Sequence, residues 1–220
     1  MYVTHQPIIA DLAQSGPAGL ATVARFAIIS PRVAFWRAVA DCQSGNWRGH
    51  FTLKAEAFKD WQAHQVRHWH NLGNLVSKGR HVEALVYVAK RPGLALAKGG
   101  FVMQMAYGFA GCLDSINLDR FNLPASTCRS DAAKRGTEHI RLCRAARYLD
   151  RCAMLGGTEQ LWDTWCEEVY FRSTQPGHVR PGHNNHNRNR WKSADHVSAA
   201  HCHAVGLDAP WRDVLDDIPF

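Results

Sequence analysis

The chain has 220 residues, 46% of them hydrophobic and 20% charged, with a formal net charge of +7 and an isoelectric point near 9.2. That length and composition exclude a marginal mini-domain and a wholly disordered chain, and the positive balance favours polyanionic partners, because each neutralised phosphate releases condensed counterions. The first fourteen residues carry no secretory pattern, no apolar run is long enough for a membrane span, and the seven cysteines form no C-x-x-C pair. A cytoplasmic protein with buried free thiols, no zinc ribbon and no iron-sulfur cluster is expected.

Apolar residues recur at helical spacing through most of the first 172 positions, which predicts an all-α fold. Pro17 opens a helix through Leu20 to Ile29, and Pro31 opens a second reaching about Cys42, with Val33, Trp36 and Val39 or Ala40 on one face. Gln43 to Leu53 reads as a loop. Helices are then expected from about Ala55 to His70, from about Leu72 to Lys90, and from Ala97 to Tyr107, the last two joined by the tight hairpin Arg91-Pro92-Gly93-Leu94-Ala95-Leu96. A turn at Gly108 to Gly111 leads to a short helix starting at Asp114 and ended by Leu123-Pro124. Two more helices should run from Asp131 or Thr137 to Met154 and from Thr158 to Phe171, separated by Gly156-Gly157. Composition changes at Ser173. Residues 1–172 read as one helical domain, and residues 173–220 as a flexible, basic and histidine-rich arm with a short helix at Ala194 to Ala204.

The hairpin carries the chemistry. Pro92 pre-sets one backbone angle and Gly93 permits another, so the amides of the following helix start can face outward and receive an anion. This Pro-Gly-apolar hairpin, the small-residue helix after it, and Cys112-Leu113-Asp114-Ser115-Ile116-Asn117 resemble the helix-hairpin-helix DNA glycosylase superfamily. The resemblance spans roughly Gly79 to Phe121. It implies a two-lobed helical bundle, a catalytic aspartate at Asp114, and a hairpin gripping DNA through Arg91, Pro92, Gly93, Leu94, Ala95 and Ala97. Lys98 stands 16 positions before Asp114, close to the family separation. Ala95 replaces the second hairpin glycine, and Lys98 lies one place beyond the lysine of the lyase-type members, whose slot holds Ala97. These departures point away from a Schiff-base lyase and towards chemistry resting on the aspartate.

Lys98-Gly99-Gly100-Phe101, Gln104 and the later Leu161-Trp162-Asp163-Thr164-Trp165-Cys166 resemble more closely a phage-associated branch linked to hypermodified thymine, whose members are described as pyrophosphorylases or amino-acid:DNA transferases. Two enzymatic readings therefore stand. One is a monofunctional glycosylase releasing a modified pyrimidine, and the other is a transferase acting on phosphorylated hydroxymethyl-uracil in phage DNA. A third is a non-catalytic DNA-binding module in which Asp114 merely caps its helix.

Under the enzymatic readings Asp114 and Lys98 form the catalytic set, while Gln104 and Asn117 read a base edge with their amides. Tyr107 and Phe109 suit the core better than base stacking, and Trp162 and Trp165 should pack the last helix. His64, His68 and His70 lack acidic or cysteine companions at telling spacing and are expected as exposed histidines on a DNA-facing helix, with no metal and no cofactor. Arg180, Arg188, Arg190 and Lys192 suit an arm following phosphates, better than its histidines suit zinc. The expected partner is double-stranded DNA with modified bases, bound by a monomer inside a bacterial or phage-infected cell.

Overall fold

The structure, a computed structural model, describes residues 5–31, 38, 41–42, 44–45, 47, 52–124 and 136–174, with side chains from 10 to 166 within those stretches. All regular structure among them is helical: α1 His5–Gln14, α2 Pro17–Ile29, α3 Thr52–Ala63, α4 Gln65–Ser77, α5 His81–Ala89, α6 Leu96–Tyr107, α7 Ser115–Arg120, α8 Glu138–Met154 and α9 Gly157–Thr174. No helix among the described residues is long and apolar enough to cross a membrane. The expected faces of Val33, Trp36, Val39 and Ala40, the possible helix start at Asp131, and everything expected of the arm from 175 onward lie outside the described residues.

The all-α reading holds, with corrections to its divisions. α1 was not expected at all. The two helices read from Ala55 to His70 and from Leu72 to Lys90 are three. The first break falls at His64, whose ring Nδ1 lies 2.9 Å from the Asp60 carbonyl, the group its own backbone N–H would engage in a continuous helix. The second follows Ser77, where Gly79 takes φ +67 and two backbone bonds close the helix end, Gly79 N to Val76 O and Arg80 N to Leu75 O, both 2.9 Å. Asn122, at φ +52, ends α7 in the same way, with Leu123 N donating to Leu118 O at 2.7 Å.

α2 and α6 are apolar almost all round and form the centre. α6 packs against α1, α2 and α5, while α8 packs against α5 and α9. Among the described residues the buried apolar side chains make one contiguous cluster from Ala13 to Cys166, and this cluster does not divide into the two lobes expected. Two adjacent glycines set how closely α6 is approached. A Cβ on Gly99 would stand 3.2 Å from the Ala89 Cβ on α5, and one on Gly100 would stand 2.4 Å from the Gly111 carbonyl and 2.8 Å from the Tyr148 ring.

Candidate active site

The hairpin forms a hydrogen-bonded turn: Leu94 N donates to Arg91 O at 3.2 Å, with Pro92 and Gly93 at its centre and Gly93 at φ +72. Proline followed by a glycine of positive φ is what a type II turn requires. The glycine is needed twice, since a Cβ there would also stand 2.6 Å from the Ala57 Cβ of α3. Leu94 and Leu96 plug the core on either side of extended Ala95. Ala95, the residue at the N-terminal end of α6, has no polar side chain to cap its first amides.

Lys98, the third residue of α6, reaches Asp114. Its Nζ donates to Asp114 Oδ2 at 3.3 Å and lies 3.5 Å from Ser30 Oγ at the end of α2, 3.9 Å from Cys112 Sγ and 5.0 Å from the centre of the Phe101 ring. The side chains of Lys98 and Asp114 are 14% and 17% exposed, so the pair is largely desolvated but open at one edge. Asp114 divides its two oxygens: Oδ1 accepts from Ile116 N at 3.0 Å as the cap of α7, and Oδ2 faces Lys98 and the Trp165 indole N–H, 3.4 Å away. Phe101 and Trp165, ring centres 4.9 Å apart, form the apolar floor.

Burial opposes charge on Lys98, yet its neighbours, the Cys112 sulfur and the Asp114 carboxylate, outweigh it and hold the lysine above its ordinary pKa. Burial also pushes the Cys112 thiol well up. Cys112 is therefore neutral near pH 7, and Asp114 is the partner that matters there. Lys98 is a charged ammonium without the free amine a Schiff base needs.

The loop before Asp114 is fixed group by group. Cys112 N donates to Gln104 Oε1 at 3.1 Å, Leu113 N to Tyr148 Oη at 3.0 Å, Tyr148 Oη to Gly111 O at 2.6 Å and Thr158 Oγ1 to Ala110 O at 2.7 Å. Asn117 Nδ2 donates to Cys112 O at 2.7 Å and to Leu161 O at 3.1 Å. Tyr148, Thr158 and Trp165 were missed as site residues because nothing local in sequence ties them to a loop 35 to 51 positions away.

Several expected DNA contacts are corrected. Gln104 and Asn117 are fully buried, Gln104 spending both ends of its amide and Asn117 its Nδ2 on backbone, so they position Asp114 and do not face a base edge. Leu94 is buried and its N–H is used within the turn. Arg91 is half-buried, its guanidinium 4.9 Å over the Tyr87 ring and its Nε donating to Tyr87 O at 3.2 Å. Pro92 and Gly93 are exposed, and Ala95 and Ala97 half-buried. Trp162 and Trp165 pack the last helix as expected. Of the three histidines, His70 is exposed and His64 partly so, but His68 is completely buried against Trp61, contrary to the reading of a solvent-facing row.

Comparison with family models, with characterised proteins and with solved structures finds no match to this chain.

Proposed function

We propose that this protein acts on bases in double-stranded DNA, as a monofunctional glycosylase of the helix-hairpin-helix kind with Asp114 as its carboxylate. One observation carries the reading: the helix that leaves the Pro-Gly hairpin delivers Lys98, in its first turn, onto a partly exposed aspartate. The phosphate-seeking helix start and the carboxylate thus belong to adjoining structure. Uncapped amides suit a phosphate beside the target nucleotide. A carboxylate paired with an ammonium and set on an aromatic floor suits the positive charge that develops on the sugar as a flipped base departs. Gln104, Asn117 and Tyr148 act as positioning residues, holding the loop so that the aspartate needs no rearrangement during the reaction.

A specific observation favours a second reading, in which both oxygens of Asp114 do structural work, one as a helix cap and one as an ion-pair partner, and the protein only binds DNA. Incubation with duplexes carrying modified pyrimidines, followed by mass spectrometry of released bases and of the strands, decides between them. The expected result is base release with formation of abasic sites, abolished in Asp114→Asn while DNA affinity is kept or increased. A strand that gains mass assigns group transfer instead. Duplexes that are bound but chemically unchanged leave the binding module.

A further inference from the structure

A second cluster of reactive side chains lies apart from Asp114. One ligand-type atom from each of Asp60, His64 and His68 lies within 4.8 Å of the other two. The three residues stand four apart in sequence. In an uninterrupted helix eight residues advance about 12 Å, too far for Asp60 and His68 to share one ion. The break between α3 and α4 at His64 removes that obstacle.

The donors are also prepared. His68 is completely buried, and its Nδ1 lies 2.8 Å from Tyr87 Oη, which also accepts from Asn71 Nδ2 at 3.1 Å. That fixes the ring and leaves Nε2 as the open donor, and Nε2 is buried without a hydrogen-bond partner. Asp60 Oδ2 is likewise buried and unpartnered. Two orphaned polar atoms in one cluster are costly in a folded interior unless something unites them. His64 Nδ1, 3.7 Å from Asp60 Oδ1, donates to the Asp60 carbonyl at 2.9 Å, a bond the ring gives up to ligate, and the His64 side chain keeps 42% of its surface exposed, giving an ion a way in.

We propose that Asp60, His64 and His68 form a binding site for a divalent transition-metal ion of the zinc class. Two imidazoles and one carboxylate are the donor set of zinc, nickel or cobalt, whereas calcium and magnesium prefer oxygen throughout. Three protein ligands leave a fourth position for water. Ligand atoms 2.0 to 2.2 Å from a tetrahedral ion stand roughly 3.3–3.6 Å apart, so closure needs movements of about 1 Å, which the partly exposed His64 side chain can supply. The hydrogen bond that His68 Nδ1–H donates to Tyr87 Oη is the outer support such ligands use. Bound there, the ion ties α3 to α4 across their break. Through Tyr87 and Arg91 it braces the helix that enters the hairpin.

The test uses the full chain with the six histidines and Cys202 beyond residue 174 replaced by asparagine and serine, and with Cys143→Ser, because exposed Cys143 lies 3.6 Å from His139 and offers a competing pair. Calorimetric titration with Zn²⁺ is expected to give one equivalent bound with micromolar or tighter affinity, and zinc-edge X-ray absorption two imidazole nitrogens in the first shell. His64→Ala, at a partly exposed position that should fold normally, is expected to weaken binding at least tenfold, and Asp60→Asn to do the same. No binding at 100 µM Zn²⁺, or binding unchanged by both substitutions, overturns the site and assigns the orphaned atoms to a buried water. Neither result depends on whether the protein acts on DNA.

Discussion

Lys98 and Asp114 are each other's counter-charge in a mostly desolvated setting, and that makes single substitutions there ambiguous. Asp114→Asn keeps a capping oxygen but strands an ammonium, so the variant should lose about 2 kcal/mol or more of stability in urea unfolding. Adding Lys98→Gln removes the stranded charge. The double variant is therefore expected to recover much of that stability while regaining no base release, which separates the structural use of the carboxylate from its chemistry. His68 gives a second residue-scale prediction. Burial first, and Arg91 second, lower its pKa from 6.5 to about 4. The folded state thus resists a proton that the unfolded chain accepts below pH 6.5. Its contribution is complete above that pH and is lost as pH falls from 6.5 towards 4, by up to about 3 kcal/mol. In chelator, the stability of the wild-type chain should fall more steeply across this window than that of His68→Gln.

At the scale of elements, the hairpin between α5 and α6 rests on one glycine with two duties. Gly93→Ala imposes a positive φ on a residue with a Cβ and drives that Cβ into Ala57, so it should cost about 2–3 kcal/mol in denaturant unfolding. In an Ala57→Gly background the clash disappears and the φ strain remains. The same substitution should then cost about 1 kcal/mol less, and failure to see this coupling would mean that α3 does not press on the turn. The Pro-Gly signature of this turn was plain in the sequence because turn chemistry is local. The C-terminus of α4 at Lys78-Gly79 was not read, because periodicity alone carries a helix through it. Nor was the break at His64, since neither the turn of its ring onto the Asp60 carbonyl nor the packing of His68 between Trp61 and Tyr87 shows in the spacing of apolar residues.

For the molecule as a whole, charge is unevenly divided along the sequence. Residues 193–220 hold one arginine and five aspartates, whereas residues 175–192 hold four basic residues and no acidic ones. Truncation after Lys192 therefore raises the formal charge from +7 to +11. If DNA is the partner, this shortened chain should bind a duplex more tightly and with a steeper dependence on salt than the full chain. Truncation after Thr174, which restores +7, should undo the gain. Fluorescence anisotropy over a KCl series checks both, each phosphate contact being worth about 0.9 in the slope of log affinity against log salt.

The sequence by itself determined what depends on near neighbours: the helical class, the Pro-Gly turn, the helix start at Asp114, the glycine pair dividing α8 from α9, and the sign of the charge. Tertiary structure alone decided what depends on distant ones. Gln104 and Asn117 look like surface readers of bases in sequence, because an amide carries the same donors and acceptors wherever it sits. Burial against Cys112, Thr158 and Leu161 turned them into supports for a loop. The spacing of Asp60, His64 and His68 suggests nothing remarkable on a straight helix, and only a bend gathered them, since periodicity records angle around an axis and not the course the axis takes.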